Sequence, residues 1–322
     1  MIFTIKKNMK IKIKHIVFSL ATLVVAACSS HKPAISSSAP ATSANVDRKS
    51  LLWEVSGKGV NTSYVYGTIH LIPKDDFLLT EATKKAFAKT QRLTLEINMQ
   101  DMQNPVALMG VMSKAMMPNN KTLSDVMSAE DYKIVKARFD ALGLPMMYLE
   151  HIKPMFLSMM MGTDGEKLSM GGDDKSSKIT SYELEFMQMA EKDKKEMAGL
   201  ETIDFQMSMF DSIPLDAQAK MLVKAAKDTN KKESNELQEL VKIYLQQDID
   251  GMSKTLQKDD GGDMAQYENM LIIDRNAKWI PLMANQMKSK PTLFAVGAGH
   301  LGGDKGVINL LQKAGYTVKP MK

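Results

Sequence analysis

The stretch Pro291-Thr-Leu-Phe-Ala-Val-Gly-Ala-Gly-His-Leu-Gly-Gly-Asp-Lys-Gly-Val-Ile-Asn-Leu-Leu-Gln-Lys-Ala-Gly-Tyr-Thr-Val-Lys-Pro-Met321 decides the fold. Thr292 to Val296 is a short apolar run of the kind that forms a buried strand, and it stops at a Gly-Ala-Gly-His turn. The chain therefore leaves a sheet at His300. Asp304 follows a glycine pair and precedes the periodic apolar residues Val307, Leu310 and Leu311, so it is expected to cap a helix. Gly315 ends that helix, and Tyr316 to Lys319 reads as a closing strand. A histidine at a strand end beside a glycine-rich loop marks the place where open α/β sheets carry their chemistry.

The same arrangement recurs upstream. Ser63 to Tyr66 is a β-prone run that ends at Gly67-Thr68-Ile69-His70, again a glycine, two residues, then histidine. One G-x-x-H by itself also describes an ordinary loop histidine; a pair of them at two strand ends points to a shared site. His70 and His300 are expected to lie in one cleft, near Glu96.

The N-terminus reads as an address. Lys6, Lys7, Lys10, Lys12 and Lys14 precede an apolar run, Ile16 to Ala27, which is too short to span a bilayer and has the length of a signal-peptide core. The run ends at Val25-Ala26-Ala27-Cys28, which resembles the bacterial lipobox, whose cysteine is lipidated and becomes the mature N-terminus. Cys28 is the sole cysteine, which excludes an intrachain disulfide. Residues 1–28 are thus expected to be a lipoprotein signal peptide. Cys28 is then the lipidation site, holding the protein to a membrane of the bacterial cell envelope. Residues 29–49, rich in Ser, Ala, Pro and Thr, lack the apolar side chains to fold and read as a flexible tether.

Five of the 42 Lys and Arg residues precede Cys28 and none of the 37 Asp and Glu residues does, so the remainder carries equal numbers of each. The basicity belongs to the leader, and a nucleic-acid partner loses its electrostatic support. Residues 50–322 are expected to form one α/β domain. Its central mixed sheet is built from N- and C-terminal segments and flanked by helices, and its middle region is largely helical.

Leu51 to Ser56 and Ser63 to Tyr66 flank a Gly-Lys-Gly-Val-Asn-Thr segment, a hairpin signal. Leu79 to Thr90 has helical spacing. Arg92 to Ile97 reads as a strand with Leu93, Leu95 and Ile97 on one face and Thr94 and Glu96 on the other, which places Glu96 at a third strand end. Gly162 to Lys178 reads as an exposed loop and Thr229 to Glu239 as a solvated helix face. Glu201-Thr202 is expected to begin a helix, and a long helix from about Asp263 to Lys288 carries Arg275, Asn276 and Trp279. His151 matches no motif and reads as structural, and His15 and His31 lie in the leader and tether.

The 28 methionines, spread over nearly every helix beside only ten Phe and two Trp, read as adaptable core filling rather than copper ligands. Neither a phosphate-binding G-x-x-x-x-G-K-S/T nor an H-E-x-x-H occurs. Gly297 to Gly302 fits G-x-G-x-x-G, but no acidic ribose-binding residue follows at the usual interval.

Leu52-Trp53-Glu54-Val55, Val65 to His70, Leu95-Glu96, Gly199-Leu200-Glu201-Thr202, Arg275-Asn276 and Val296 to Leu301 resemble, in order, the successive motifs of the TraB/GumN family. That family is related to the Tiki proteins, membrane-associated metal-dependent proteases. The resemblance implies a divalent-metal site at His70, His300 and Glu96, with Mn, Co or Zn left open. It also implies roles for two further residues. Glu201 is either another ligand or the general base, and Arg275 either orients a carboxylate or stabilises an oxyanion. Each of the two also reads as one half of a buried ion pair. Two imidazoles and a carboxylate with open positions are what a hydrolytic metal site requires.

Three classes of function follow. The first is a lipid-anchored, divalent-metal-dependent hydrolase acting on a peptide or protein substrate. The second is a non-catalytic regulatory or binding protein of the same fold. The third is a metal- or haem-handling lipoprotein, through a distant relationship to haem-binding ChaN-like proteins.

Overall fold

The computed structural model describes residues 48–161, 179–227, 232–257 and 267–322. The expected signal peptide, Cys28, the tether, His15, His31 and the Gly162–Lys178 loop lie outside them, as do parts of the segments expected to be helical around Thr229 and Asp263.

The first half of the chain contains β1 (Leu52–Ser56), β2 (Ser63–Thr68), β3 (Ile72–Pro73), α1 (Glu81–Ala88), β4 (Arg92–Ile97), α2 (Pro105–Ala115), α3 (Ala129–Ala141) and α4 (Pro154–Met161). There follow β5 (Ile179–Thr180), α5 (Tyr182–Lys192), β6 (Glu196–Glu201), α6 (Ile203–Phe210), α7 (Leu215–Lys227), α8 (Lys232–Leu245) and α9 (Ile249–Gln257). The C-terminal part is α10 (Asp274–Ser289), β7 (Thr292–Gly297), α11 (Val307–Lys313) and β8 (Thr317–Met321). The fold is α/β, and its largest sheet draws on both ends of the chain with a mainly helical middle region between them.

That sheet has the strand order β6-β4-β7-β2-β1-β8. β1 pairs antiparallel with β2 through the expected hairpin, and with β8 on its other side. The remaining neighbours, β2 with β7, β7 with β4 and β4 with β6, are parallel. Four strands consequently end on the same edge.

β4 is buried on both faces although its sequence alternates. Leu93 and Leu95 on one face and Thr94 and Glu96 on the other are all buried. Register places Tyr66, Ala295 and Leu95 side by side, and Tyr66 stacks edge-on against Phe186 of α5 at 5.2 Å between ring centroids. The opposite face lies under α10, where Thr94 Oγ1 donates to Gln286 Oε1 at 2.5 Å. Trp279, Met283 and Met287, spaced by one helical turn, form the buried stripe of α10. Methionine fills core here and in the clusters around Met117, Met146, Met155 and Met207, whereas Met109 and Met147 are each 73% exposed.

Two local expectations are corrected. Glu201-Thr202 does not begin a helix: Glu201 is the last residue of β6, paired with Ile97, and Thr202 is the cap of α6, accepting from the Phe205 N–H. Asp304 does not cap α11, whose preceding residue is Gly306 with no side-chain cap. The cause is the close approach of the loop to α9. A Cβ on Gly302 would lie 2.2 Å from the Ile249 carbonyl oxygen, and the Gly303 N–H is taken by Asp250 Oδ1 at 2.8 Å. The loop therefore uses an extra turn before the helix starts.

Candidate functional site

At the carboxyl edge of the four parallel strands the ends succeed one another in sheet order. Glu201 closes β6, Glu96 stands next to last in β4, His300 lies three residues past the end of β7, and His70 two past the end of β2. Residues 70, 96, 201 and 300 thus share one edge although the chain spreads them over 230 positions. Gly67 fits tightly beneath this edge: a Cβ there would come within 3.0 Å of Leu301 Cδ1 and 3.1 Å of Ala298 Cα. That contact explains why the first G-x-x-H begins with glycine.

Arg275, in the first turn of α10, reaches over the edge. Its Nη2 donates to Glu96 Oε2 at 2.6 Å and to Glu201 Oε2 at 2.9 Å, and its Nε to both Glu201 oxygens at 3.1 Å. Nη1 donates to the Leu271 carbonyl at 2.9 Å and faces His300 Nε2 at 3.3 Å. All the N–H groups of the guanidinium are therefore committed. Glu201 also accepts from Trp279 Nε1 at 2.8 Å and Gln206 Nε2 at 3.1 Å, and Glu96 from the Gly297 N–H at 2.9 Å. The Trp279 ring packs against His300 at 4.5 Å and under the Arg275 guanidinium at 5.0 Å.

Hydrogen bonding settles the tautomer of His300. Asn276 Nδ2 donates to the carbonyls of His300 and Lys305, which turns Asn276 Oδ1 toward His300 Nδ1 at 2.7 Å. Nδ1 must then carry the proton, leaving a lone pair on Nε2. Burial, reinforced by the Arg275 charge, pushes this imidazole down to about 3, so it is neutral at ordinary pH.

His70 is held differently. Its Nδ1 meets Glu183 Oε1 at 2.8 Å, and Glu183 is fixed in turn by the hydroxyls of Thr68 at 2.6 Å and Ser181 at 2.9 Å. Burial works against the imidazolium, but the Glu183 carboxylate outweighs it and lifts His70 to about 9. Burial likewise works to raise Glu96, and the Arg275 charge foremost holds it well below the usual carboxylate range. The edge thus carries one charged and one neutral histidine, at the ends of adjacent strands.

The structure brings Glu96, Glu201, Arg275 and His300 into one hydrogen-bonded cluster, with His300 Nε2 3.9 Å from Glu96 Oε1. His70 stands beside it, bonded to Glu183 rather than to Glu96. His151 lies away from this edge, its Nδ1 3.0 Å from the Lys121 carbonyl oxygen. Sequence reasoning missed Glu183 and Gln206. Glu183 sits in the first turn of α5 behind the Ser181 cap, where an acidic residue reads as a helix-dipole partner, so nothing in its local sequence marks it.

The donor chemistry suits a divalent ion, since each imidazole is oriented through Nδ1 and a carboxylate lies near. The arrangement does not suit one. Among the described residues no three His, Cys, Asp or Glu side chains are placed to hold a metal ion, because Glu96 and Glu201 are turned onto Arg275.

The carboxyl edge of the parallel strands in this α/β protein thus carries a histidine–carboxylate cluster braced by a buried arginine. The chain belongs to the TraB/PrgY/gumN family, whose model matches residues 51–320. It is 22% identical over 324 residues to metalloprotease TIKI1 of Danio rerio, covering 85% of this chain and 63% of that protein. Metalloprotease TIKI2 of Xenopus tropicalis is 22% identical, covering 85% and 60%, and the Homo sapiens TIKI1 is 22% identical, covering 84% and 61%. The chain thus spans about three fifths of the length of these relatives. No solved structure matches it.

Proposed function

We propose that this protein is a hydrolase that cleaves peptides or proteins, tethered to a membrane of the bacterial cell envelope through a lipid on Cys28. The observation that carries the reading is the convergence of two histidines and two carboxylates, around a buried arginine, on one sheet edge. His300, with its proton on Nδ1, turns its Nε2 lone pair toward Arg275 Nη1 at 3.3 Å, and His70 is held through Nδ1 by Glu183 at 2.8 Å. Arg275 holds the two carboxylates in place, and Asn276 keeps the His300 proton on Nδ1. Glu201, saturated by Arg275, Trp279 and Gln206, serves in this conformation as a positioning group rather than as the base.

Dependence on a divalent ion, whether Mn, Co or Zn, is part of the proposal. Its support is the pair of imidazoles beside Glu96 and the name metalloprotease carried by the relatives. The test offers full chain, purified without chelator, a library of unfolded peptides and reads cleavage by mass spectrometry. Wild type is expected to cleave and His300→Gln to lose cleavage. Chelator should stop the reaction and one of the three ions should restore it. A folded wild type that leaves every peptide intact, with and without added ion, overturns the hydrolase reading. It would favour a non-catalytic binding protein, which the full commitment of the Arg275 donors also suits.

A further inference from the structure

The site has the donors for a cation and already contains one. The carboxylates of Glu96 and Glu201 approach from two neighbouring strands, His300 Nε2 adds a lone pair, and the guanidinium of Arg275 sits where their acceptors converge. Glu96 Oε2, both Glu201 oxygens and His300 Nε2 all face that one side chain, which is itself buried. We propose that Arg275 is the resident cation of this site, and that a divalent ion binds only when Arg275 withdraws.

The backbone beside Arg275 offers a route for withdrawal. Residues Asn269–Ile273 form a π-helical turn directly before α10, and the Leu271 carbonyl within it accepts from Arg275 Nη1 at 2.9 Å. A π-turn holds one residue more than an α-turn, and single π-turns within helices are frequent at functional sites. Relaxing this one would rotate residue 275 about the axis relative to the strand ends and release Glu96, Glu201 and His300 together. Ion binding and arginine retreat are then a single exchange of cations, in which the divalent ion brings the two carboxylates one positive charge more than the guanidinium it replaces.

The inference concerns the same site as the proposed hydrolase but stands on the hydrogen bonds alone. Its test is metal affinity. Full-length protein, exhaustively dialysed, is titrated with Mn, Co and Zn by calorimetry, and bound metal is counted by mass spectrometry. Wild type is expected to bind weakly, Arg275→Gln to take one ion per chain at least tenfold more tightly, and Arg275→Gln with Glu96→Gln to lose that gain. A folded Arg275→Gln with no gain overturns the proposal. Should that variant fail to fold, wild-type crystals soaked in zinc decide: an ion at His300 with Arg275 still bonded to Glu96 and Glu201 overturns it, and an ion present only with Arg275 swung away supports it. If wild type cleaves peptides yet Arg275 does not alter metal affinity, the exchange fails and the hydrolase stands. If affinity rises but no form of the protein cleaves anything, the reverse holds.

Discussion

Replacing Arg275 by Met should be among the most destabilising single changes in this protein, and the magnitude follows from what would be left behind. Arg275 donates to Glu96, Glu201 and the Leu271 carbonyl and faces His300 Nε2, and both carboxylates are at most 8% exposed at the side chain. Removing one partner of a buried ion pair costs about 3–5 kcal/mol, since the remaining charge is stranded out of water. Here two carboxylates lose the same partner, so the loss should lie at the upper end of that range. For a domain of this size each kcal/mol moves the melting temperature by about 2–4 °C, which makes the expected fall roughly 10–20 °C. Chemical denaturation of metal-free protein gives the free energy, and a thermal melt followed by circular dichroism gives the shift. Adding Glu96→Gln and Glu201→Gln to Arg275→Met removes the stranded charges and should recover more than half of the loss. A single variant that loses less than about 1 kcal/mol, or a triple variant that recovers nothing, would refute the claim that Arg275 balances both carboxylates.

Gly67→Ala should cost about 1–3 kcal/mol by overpacking, because its methyl would press on Leu301 and Ala298; an unchanged denaturation midpoint would contradict the close approach. The His70–Glu183 pair predicts an alkaline weakness. His70 has a folded value of about 9 against an ordinary 6.5, so its contribution is complete below about 6.5 and is lost as pH rises through 9. Melts of chelator-treated wild type between pH 6 and 10 should show that decline, and Glu183→Gln should flatten it. Asn276→Leu removes the acceptor that keeps the proton on His300 Nδ1. The imidazole 15N spectrum of that variant should show mixed tautomers where wild type shows one. Cys28→Ser should yield protein without acyl label, and a labelled, processed variant would end the lipoprotein proposal.

Much of the site is legible in local sequence because its histidines announce themselves by what precedes them. An apolar run that stops at glycine and then histidine can be read one segment at a time, and so can Glu96 at the end of an alternating strand. The family resemblance added Glu201 and Arg275, each of which also reads as half of a buried ion pair, without saying which partner each one meets. What tertiary structure alone decided is adjacency. That β7 lies between β4 and β2, with β6 outside β4, sets His300 beside Glu96 and places Glu201 one strand further on. Strand order is a property of long-range pairing, to which no local pattern of hydrophobicity refers. The same limit hid Glu183, whose surroundings in sequence are those of a surface helix start, and it hid the commitment of Arg275. A guanidinium reads alike from sequence whether it waits for a substrate or already fills the site. Only the packing of α10 across the strand ends shows that its donors are spent on two buried carboxylates, a carbonyl and a histidine.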